Sequence, residues 1–274
     1  MTARGVPDLD IVIPVYNEGQ NIIAVIDALL RELRCRFRVL ICYDFDEDNT
    51  LAALAGNPRE RLDLLLVKSP ERGPHAAVRA GLARSEAPAV LVYMADDDFN
   101  GDVAQVMYEK YLGGFDVVAA SRFVPGGFMK GCHWIKEIIT RVGSVALHHL
   151  GGVPVQDGTN SFRLFSRRLL ESVELESRAG FTFSIELTAK AARLGLRIAE
   201  VPARWYERAD KPSRFRIFAW LPAYIEWLVY AMATVWLRRG PGTVPLRQPL
   251  APWPAEIRLA SGAHVSPAAS HGDQ

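Results

Sequence analysis

The chain has 274 residues, and its 32 lysines and arginines nearly balance its 31 aspartates and glutamates, so its formal net charge is +1 at pH 7. This balance argues against a broad nucleic-acid-binding surface. Hydrophobic residues make up 49% of the chain and charged residues 23%, as in an ordinary globular protein. The length suffices for one large α/β domain or two small ones.

The three cysteines form no CxxC pair and are odd in number. We therefore expect them to be inert core residues in a reducing compartment. The opening residues MTARGVPDLD contain no apolar segment like that of a secretory signal. Both observations predict a cytoplasmic location.

The first half of the chain alternates predicted strands with predicted helices. Residues 10–16 are predicted to form a buried strand, in which Pro14 halts the β-branched run. A helix with Asn17 as its expected cap follows and extends to residue 33. Further strands are predicted at FRVLICY, RLDLLLVK and APAVLVYM, with helices between them. This alternation predicts a mainly parallel sheet with helices on both faces.

The second half is less regular. It contains a strand at 115–123, the loop PGGFMKG, a helix at 134–150, and a polar turn followed by a strand and helix within 153–171. An amphipathic helix is expected at 181–195, ended by Gly195, and a strand at 196–205. We predict a catalytic domain over 1–213, an amphipathic helix over 214–239 and a disordered tail, rich in Pro, Gly, Ala and Ser, over 240–274.

The segment 218–237, FAWLPAYIEWLVYAMATVWL, has the length of a bilayer span, about 20 residues. Glu226 and Pro222 disfavour a span, because a charge in the middle of a membrane is costly. Three aromatic residues recur at helical spacing and suit a headgroup region: Trp220, Tyr224 and Trp227. A helix lying on the cytoplasmic leaflet is favoured, with a core-packed or dimerising helix and a true span as the alternatives.

Three consecutive carboxylates, Asp96, Asp97 and Asp98, follow the fourth predicted strand. Adjacent like charges repel unless a cation lies between them. An Asp-x-Asp pair offers the oxygen ligands that Mg²⁺ or Mn²⁺ shares with substrate phosphates. The alternative is that Asp98 or Asn100 caps the next helix and that Asp97 faces water.

Asn17 and Glu18 follow the first predicted strand, and Asp44 follows the second. In such sheets ligands bind beyond the carboxyl ends of the strands. Acids and amides there suit ribose hydroxyls and the N–H groups of a base. Helix capping is the alternative for Asn17 and Glu18. At least one of Asp44, Asp46 and Asp48 is expected to be only a solvated turn residue.

These motifs resemble the family-2 glycosyltransferases, inverting enzymes of the GT-A fold. PVYNE, the Asp-bearing second turn and DDD occur in the family's order. AASRFVPGG, DGTNSFRLFSRRLL, FTFSIELTAKAARLGLRIAEVP and RADKPSRFR resemble the polyprenyl-phosphate (dolichol-phosphate) hexose synthase branch. The resemblance spans residues 9–216.

The resemblance implies roles for matching residues. Nucleotide binding would fall to Pro14, Tyr16, Asn17, Glu18, Asp44, Asp96 and Asp97. Asp96, Asp98 and Asn100 would bind the metal, Mg²⁺ or Mn²⁺. Asn100 stands where relatives often carry Gln. Arg122 and Arg208 would face phosphates, and Asp157 and Ser161 would lie in the acceptor turn. Two departures from the family, Tyr43-Asp44 and Phe45-Asp46, suggest altered base recognition.

The expected acceptor needs little base catalysis. An alcohol requires a general base, whereas a lipid phosphate has a second pKa near about 6 and is already largely ionised. Cationic positioning by Arg122, Lys130 and Lys136 suits it, although a solvated basic face is the alternative for each. Asp157 would orient the acceptor or take a residual proton, and Glu186 is a weaker base candidate. Asp97, on the opposite side of the strand end from its neighbours, is the acid expected to be dispensable.

The sequence thus predicts a metal-dependent inverting transferase that moves a hexose from GDP-mannose or a UDP-hexose to polyprenyl phosphate at the cytoplasmic face of the membrane. One alternative is transfer to a sugar hydroxyl of a lipid-linked glycan, which demands a true base. Another is an inactive nucleotide-sugar-binding protein at the membrane. The sequence leaves open a homo-oligomer or a separate membrane subunit.

Overall fold

The computed structural model of the protein describes residues 6–58, 62–207 and 217–253. The strands of this part are β1 (Leu9–Pro14), β2 (Phe37–Tyr43), β3 (Asp63–Lys68), β4 (Ala89–Val92), β5 (Val117–Ser121), β6 (Phe128–Lys130), β7 (Arg163–Ser166), β8 (Ile198–Pro202) and β9 (Arg204–Tyr206). Its α-helices are α1 (Asn21–Glu32), α2 (Asn49–Gly56), α3 (Pro74–Arg84), α4 (Gly101–Leu112), α5 (Trp134–His149), α6 (Arg167–Ser172), α7 (Phe183–Arg193) and α8 (Ile217–Trp236).

Seven strands form the main sheet in the order β3-β2-β1-β4-β7-β5-β8. The pairs β1–β2, β1–β4, β2–β3 and β5–β8 are parallel, and only β7 runs antiparallel to its neighbours β4 and β5. A second, two-stranded sheet pairs β6 with β9. The prediction of a mainly parallel sheet is therefore confirmed.

Helices cover both faces of the main sheet, as the alternation of β1 illustrates. Ile11 and Ile13 join a core packed under α1 and α4, while Val12 joins a second core under α3 and α7. Successive strand residues point to opposite faces, so a strand buried on both sides reads as a continuous apolar run. This burial fixes where the carboxyl ends of β1, β2 and β4 meet.

Gly81 allows α3 to lie directly on the sheet. A Cβ at this position would come within 2.5 Å of Val12 Cγ1 and 2.6 Å of Cys42 Sγ. The close approach brings the start of α3 to the end of β2, where Gly73 N donates a 2.6 Å hydrogen bond to Asp44 Oδ2.

Helix α8 packs against α5 and α7 through part of the predicted aromatic stripe. Trp227 is buried in a cluster that also contains Leu147 of α5 and Ile185 of α7, and Trp220 lies against Phe181 with ring centroids 6.1 Å apart. The expectation that this stripe faces lipid headgroups is therefore wrong, because a large aromatic face is buried most favourably against another apolar face. Among the described residues, no helix is both long and apolar enough to cross a membrane.

The segment after α8 is packed in its first part. Val244 is buried, Arg247 N donates to Ser172 O at 2.8 Å, and the Trp253 ring lies 5.2 Å from that of Tyr111. The prediction of disorder is thus wrong for 240–253, where apolar residues within the Pro-rich composition reach the domain surface. Residues 254–274 lie outside the described part.

Candidate active site

The loops after β1 and β2 are locked to each other. Asn17 N donates to Asp48 Oδ2 at 3.0 Å, and Glu18 N donates to Thr50 Oγ1 at 3.0 Å. Asp48 Oδ1 also accepts from Thr50 N, so this buried carboxylate caps α2 and holds the neighbouring loop. Asn17 adopts φ 53°, a conformation that Asn tolerates better than most residues.

One expectation for this loop changes in the structure. Asn17 does not cap α1, which begins four residues later with Gln20 at the N-cap. The side chain of Asn17 instead accepts from Asn49 N at 3.3 Å across the loop. Pro14 is the last residue of β1, and the half-exposed Tyr16 follows it at the sheet edge.

Asp44 has one satisfied and one unsatisfied carboxylate oxygen. Its Oδ2 accepts from Gly73 N, whereas Oδ1 is buried and has no hydrogen-bond partner in the described part of the chain. A buried acceptor without a donor costs about 1–3 kcal/mol, so such an atom is typical of a site that a ligand completes.

An aromatic and cationic group borders Asp44. The Phe45 ring lies 5.4 Å from the Tyr16 ring, and the Arg72 guanidinium lies 5.9 Å from the Phe45 centroid. Aromatic faces and guanidinium planes are the groups on which nucleobases stack. Phe45, one of the departures from the family pattern, is thus beside the predicted nucleoside site.

Exposed and buried side chains alternate in the acidic triplet, as was predicted for residues at the end of a strand. Asp96 and Asp98 are exposed, while Asp97 is buried between them. Asp97 accepts hydrogen bonds from Phe99 N, Asn100 N and Asn100 Nδ2. Burial raises the pKa of the Asp97 carboxyl to about 7 despite these bonds. The geometry removes Asp97 as a nucleotide ligand and makes it a structural member of the turn.

Asn100 is bonded to the backbone of β9. It is 1% exposed, its Oδ1 accepts from Arg204 N at 3.0 Å, and its Nδ2 donates to Arg204 O at 2.8 Å. These bonds join the turn after β4 to β9. The structure therefore contradicts the prediction of Asn100 as a metal ligand, because a buried amide is held by the partners that satisfy it.

The turn at 157–161, predicted above to bind the acceptor, centres on a buried ion pair. Arg122 Nε lies 2.6 Å from Asp157 Oδ2, Arg122 Nη2 lies 2.8 Å from Asp157 Oδ1, and Arg122 N also donates to Oδ2 at 3.0 Å. Thr159, Ser144 and Asn160 N supply further contacts to this carboxylate. Within the described ranges, nothing accepts a hydrogen bond from Arg122 Nη1.

The electrostatics of Asp157 argue against a base role. Burial alone would raise the pKa of this carboxyl, but the charge of Arg122 and its hydrogen bonds outweigh burial, and the pKa is lowered. A fully buried carboxylate with a lowered pKa and filled acceptor positions is a weak base. The geometry favours Asp157 as the residue that positions Arg122.

Glu186 does not project into the cleft. It is fully buried, its two carboxylate oxygens accept from Glu176 N and Ser177 N, and Lys190 Nζ lies 2.7 Å from Oε1. This contradicts Glu186 as a base candidate, since its carboxylate is occupied in the packing of α7.

The predicted cations and Ser161 have varied surroundings. Lys136 Nζ pairs with Glu207 at 2.9 Å and lies 4.5 Å from the Trp205 ring, so its charge is largely used within the fold. Lys130 is exposed, with Nζ 4.8 Å from the Phe128 ring. Ser161 Oγ lies 3.5 Å from Met94 Sδ, which brings the acceptor turn against the end of β4. Arg208 lies outside the described residues.

Sequence reasoning missed two residues that hold this turn. Arg163 is fully buried, and its Nη2 donates to Asp157 O and Gly158 O at 2.8 and 2.9 Å. Glu200 Oε1 accepts from Asp157 N at 2.9 Å. The signal in the sequence was a charged residue within each of two largely apolar strands, Arg163 at the start of β7 and Glu200 in the middle of β8, where burial demands a partner.

Known proteins of three organisms are similar to this chain in sequence. It is 27% identical over 213 residues to a polyprenol monophosphomannose synthase of Mycolicibacterium smegmatis, covering 72% of this chain and 77% of that one. It is 28% identical to a dolichyl-phosphate hexose transferase of Haloferax volcanii, with 77% and 88% covered, and 28% identical to an undecaprenyl-phosphate mannosyltransferase of Micrococcus luteus, with 72% and 83% covered.

A solved structure shares the fold. Glucosyl-3-phosphoglycerate synthase from Mycobacterium tuberculosis in complex with UDP matches with a TM-score of 0.61 at 20% identity, over 83% of this chain and 80% of that one. The same synthase has been crystallised with Mn²⁺ and with Mg²⁺. The model of glycosyl transferase family 2 matches residues 10–174. The chain therefore belongs to glycosyl transferase family 2 and is a glycosyltransferase.

Proposed function

We propose that the protein transfers a hexose from a nucleotide sugar, GDP-mannose or a UDP-hexose, to a polyprenyl phosphate at the cytoplasmic face of the membrane, with inversion at the anomeric carbon. The observation that carries this proposal is the Arg122–Asp157 pair. Among the described residues nothing accepts from Arg122 Nη1, and the carboxylate beside this guanidinium is too well satisfied to act as a base. Such a site suits an acceptor that arrives already ionised. The names of the polyprenyl-phosphate relatives support the same acceptor class.

The donor half of the cleft suits a nucleoside. The buried Asp44 Oδ1 lacks a donor, and a ribose hydroxyl or a base N–H would supply one. The Tyr16–Phe45 pair, with Arg72 beside it, offers a surface for stacking a base. Glu18, held at the same edge by its backbone bond to Thr50, completes the donor-facing residues.

Asp96 and Asp98 fit a divalent cation. Both are exposed carboxylates at the end of β4, and Mg²⁺ is commonly held by one or two carboxylates together with substrate phosphates and water. In the described ranges, no group of three or more His, Cys, Asp or Glu side chains is arranged to hold a metal. When bound, Mg²⁺ or Mn²⁺ would supply Lewis-acid stabilisation of the departing diphosphate.

The transfer itself needs one bond formed and one broken. A phosphate oxygen of the lipid forms the new bond to the anomeric carbon, and the anomeric C–O bond to the nucleoside diphosphate breaks, with its electron pair leaving on the diphosphate. Arg122 would orient the phosphate, held in turn by Asp157 and by the turn that Arg163 secures. No proton has to be removed from a dianionic acceptor.

The test is a transfer assay with the purified full chain. The protein, Mg²⁺ or Mn²⁺ and a short polyprenyl phosphate are incubated with labelled nucleotide sugars one at a time, and label is measured in the organic phase. We expect one donor to give organic-phase label, Asp98→Ala to abolish it, and Asp46→Ala to retain it. Asp46 is the matched control because it is an exposed acid of the neighbouring turn, paired with Lys68.

Three results would contradict the proposal. Label on a lipid-linked glycan but not on the lipid phosphate would identify a hydroxyl acceptor. Donor binding without turnover on any acceptor would indicate an inactive nucleotide-sugar-binding protein. Equal losses of transfer in Asp98→Ala and Asp46→Ala would show that removal of any exposed acid lowers activity, and that Asp98 does not act as a metal ligand.

A further inference from the structure

We propose that α5 and α8 together form one apolar docking face for an anionic lipid bilayer. The outer residues of α5 are 44–64% exposed although they are large and apolar: Trp134, Ile135, Ile138, Val142 and Val145. Those of α8 and its end are 41–66% exposed: Leu221, Ile225, Val229, Val235, Trp236 and Leu237. This docking face differs from the aromatic stripe of α8, which is buried.

The spacing of these residues makes each face continuous. At about 100° per residue, the five α5 positions fall within an arc of about 100°, and Leu221, Ile225 and Val229 fall within about 80°. Monomeric soluble proteins rarely expose so regular an apolar surface without a partner. The opposite sides of both helices are already used, through Leu147 on α5 and Trp227 on α8.

The two helices are joined, so that their faces form one surface. Trp236 Nε1 donates to Leu150 O at 2.9 Å. A Cβ on Gly151 would come within 2.8 Å of the Ala231 Cβ, and one on Gly152 within 2.5 Å of Val235 Cγ2. Side chains at either glycine would separate the ends of the two helices.

Charge at the border of the face favours a bilayer surface with anionic lipid. Lys130 lies just before α5, Arg141 lies on α5, and Arg238 and Arg239 directly follow α8, all of them exposed. Glu137 is paired with Arg141, and the exposed Glu226 lies to the side of the apolar arc. An apolar strip with a basic border is the pattern of helices that lie in the membrane interface.

The face is connected to the candidate acceptor site by the other side of α5. Ser144, on the inner side of this helix, lies 3.5 Å from Asp157 Oδ1 and 3.4 Å from Thr159 Oγ1. Arg122 therefore lies about one helix diameter, roughly 10 Å, from the docking face. Docking would bring this guanidinium to the depth of a lipid phosphate. This link to catalysis rests on the proposed function, whereas lipid binding does not.

The test is binding of the full chain to vesicles of phosphatidylcholine alone and of phosphatidylcholine mixed with phosphatidylglycerol, measured by co-sedimentation. We expect preference for the anionic vesicles. Val142→Glu and Val229→Glu should each weaken binding at least tenfold, and Arg239→Glu about fivefold in low salt. Val106→Glu is the matched control, because Val106 is also exposed but lies on α4, and it should bind like the wild type. Thermal unfolding of each variant checks that it is folded.

Several results would overturn the docking face. These are absence of vesicle binding by the wild type, unchanged binding by both glutamate variants, or equal loss in Val106→Glu. A dimer in light scattering that Val142→Glu dissociates, with vesicle binding unaffected, would make the surface an interface between two copies.

A second readout separates this proposal from the proposed function. Val142→Glu should retain transfer to a short, water-soluble polyprenyl phosphate and lose transfer to a long-chain acceptor in vesicles. Failure of all transfer with normal vesicle binding would reject the transferase proposal and leave the docking face standing. Equal transfer by wild type and Val142→Glu on vesicle-borne acceptor would reject the link between docking and catalysis.

Discussion

The proposed donor and acceptor halves of the candidate site differ in how far their polar groups are satisfied. Around β1, β2 and β4, Asp96 and Asp98 are exposed and Asp44 Oδ1 is buried without a donor. Across the cleft, Asp157 is surrounded by donors, and Arg163 binds the carbonyls of the same turn. A buried acceptor without a donor marks where a ligand completes the structure, while a fully satisfied buried network fixes the shape of a turn. We therefore propose that the first half, called the open half below, binds the donor and that the second, the closed half, positions the acceptor.

The largest effect is expected in the open half. Asp96→Asn and Asp98→Asn should each lower turnover about 1,000-fold, because loss of a metal ligand removes several kcal/mol of stabilisation from the departing diphosphate. Their free energy of unfolding, measured in urea, should stay near that of the wild type, since both side chains are exposed.

Asp97→Asn provides the contrast within the same triplet. This variant disturbs a buried carboxylate that accepts three hydrogen bonds, so it should lose about 1–2 kcal/mol of stability and keep metal-dependent turnover. The division of labour within the triplet would be refuted by the reverse pattern, with Asp97 essential and Asp98 dispensable.

In the closed half, Asp157→Asn should chiefly cost stability. Removing one partner of a buried ion pair leaves the other charge unbalanced, and the expected loss is about 3 kcal/mol in urea denaturation. Turnover should fall but persist, because Arg122 loses its orientation while the acceptor keeps its charge. Glu200→Gln keeps an acceptor for Asp157 N but removes the negative charge that faces the buried Arg163, and it should cost about 1 kcal/mol. Abolished turnover at full stability would restore Asp157 as a base.

A smaller effect is expected from the buried His75, where α3 contacts the segment before α7. His75, near the start of α3, hydrogen-bonds Ser177 Oγ through Nε2 at 2.9 Å, and burial lowers its pKa to about 4. The unfolded chain therefore binds a proton before the folded one does, so this contribution to stability is full above about pH 6.5 and is lost as the pH falls towards 4. The unfolding free energy should drop by about 1–2 kcal/mol between pH 7 and pH 5, and His75→Gln should flatten that slope. An unchanged slope in the variant would exclude His75 as its source.

The smallest effect is expected at the nucleobase surface. Phe45→Ser should raise the KM for the donor about fivefold with little change in kcat, because stacking contributes about 1 kcal/mol and is present before and during transfer. Initial rates at varied donor concentration give both constants. A fall in kcat at constant KM would indicate that Phe45 acts on the transfer step instead.

Local pattern predicted the framework and part of the site. The β-branched runs located the strands, and the two-residue period separated Asp97 from Asp96 and Asp98 correctly. The strand β7 was also predicted, but its antiparallel direction was not, because the polar turn before it carries no signal of direction.

The failed predictions depend on partners distant in sequence. Asn100 and Lys136 were expected to face ligands, but Arg204 and Glu207 occupy them from segments more than 70 residues away. Helix α8 is apolar on more than one side, so its sequence did not reveal which side faces the protein.

The most direct test of the central claim is the pH dependence of kcat/KM for polyprenyl phosphate, measured in wild type and Asp157→Asn. If the open half binds the donor and the closed half only positions an ionised acceptor, activity should rise with an apparent pKa near about 6, the second pKa of the lipid phosphate. This rise in activity with pH should persist in Asp157→Asn. Its apparent pKa should shift when the acceptor is a phosphonate of different acidity. A rise in kcat/KM with pH whose apparent pKa does not depend on the acceptor's acidity, and which is absent in Asp157→Asn, would show that a protein base drives the reaction.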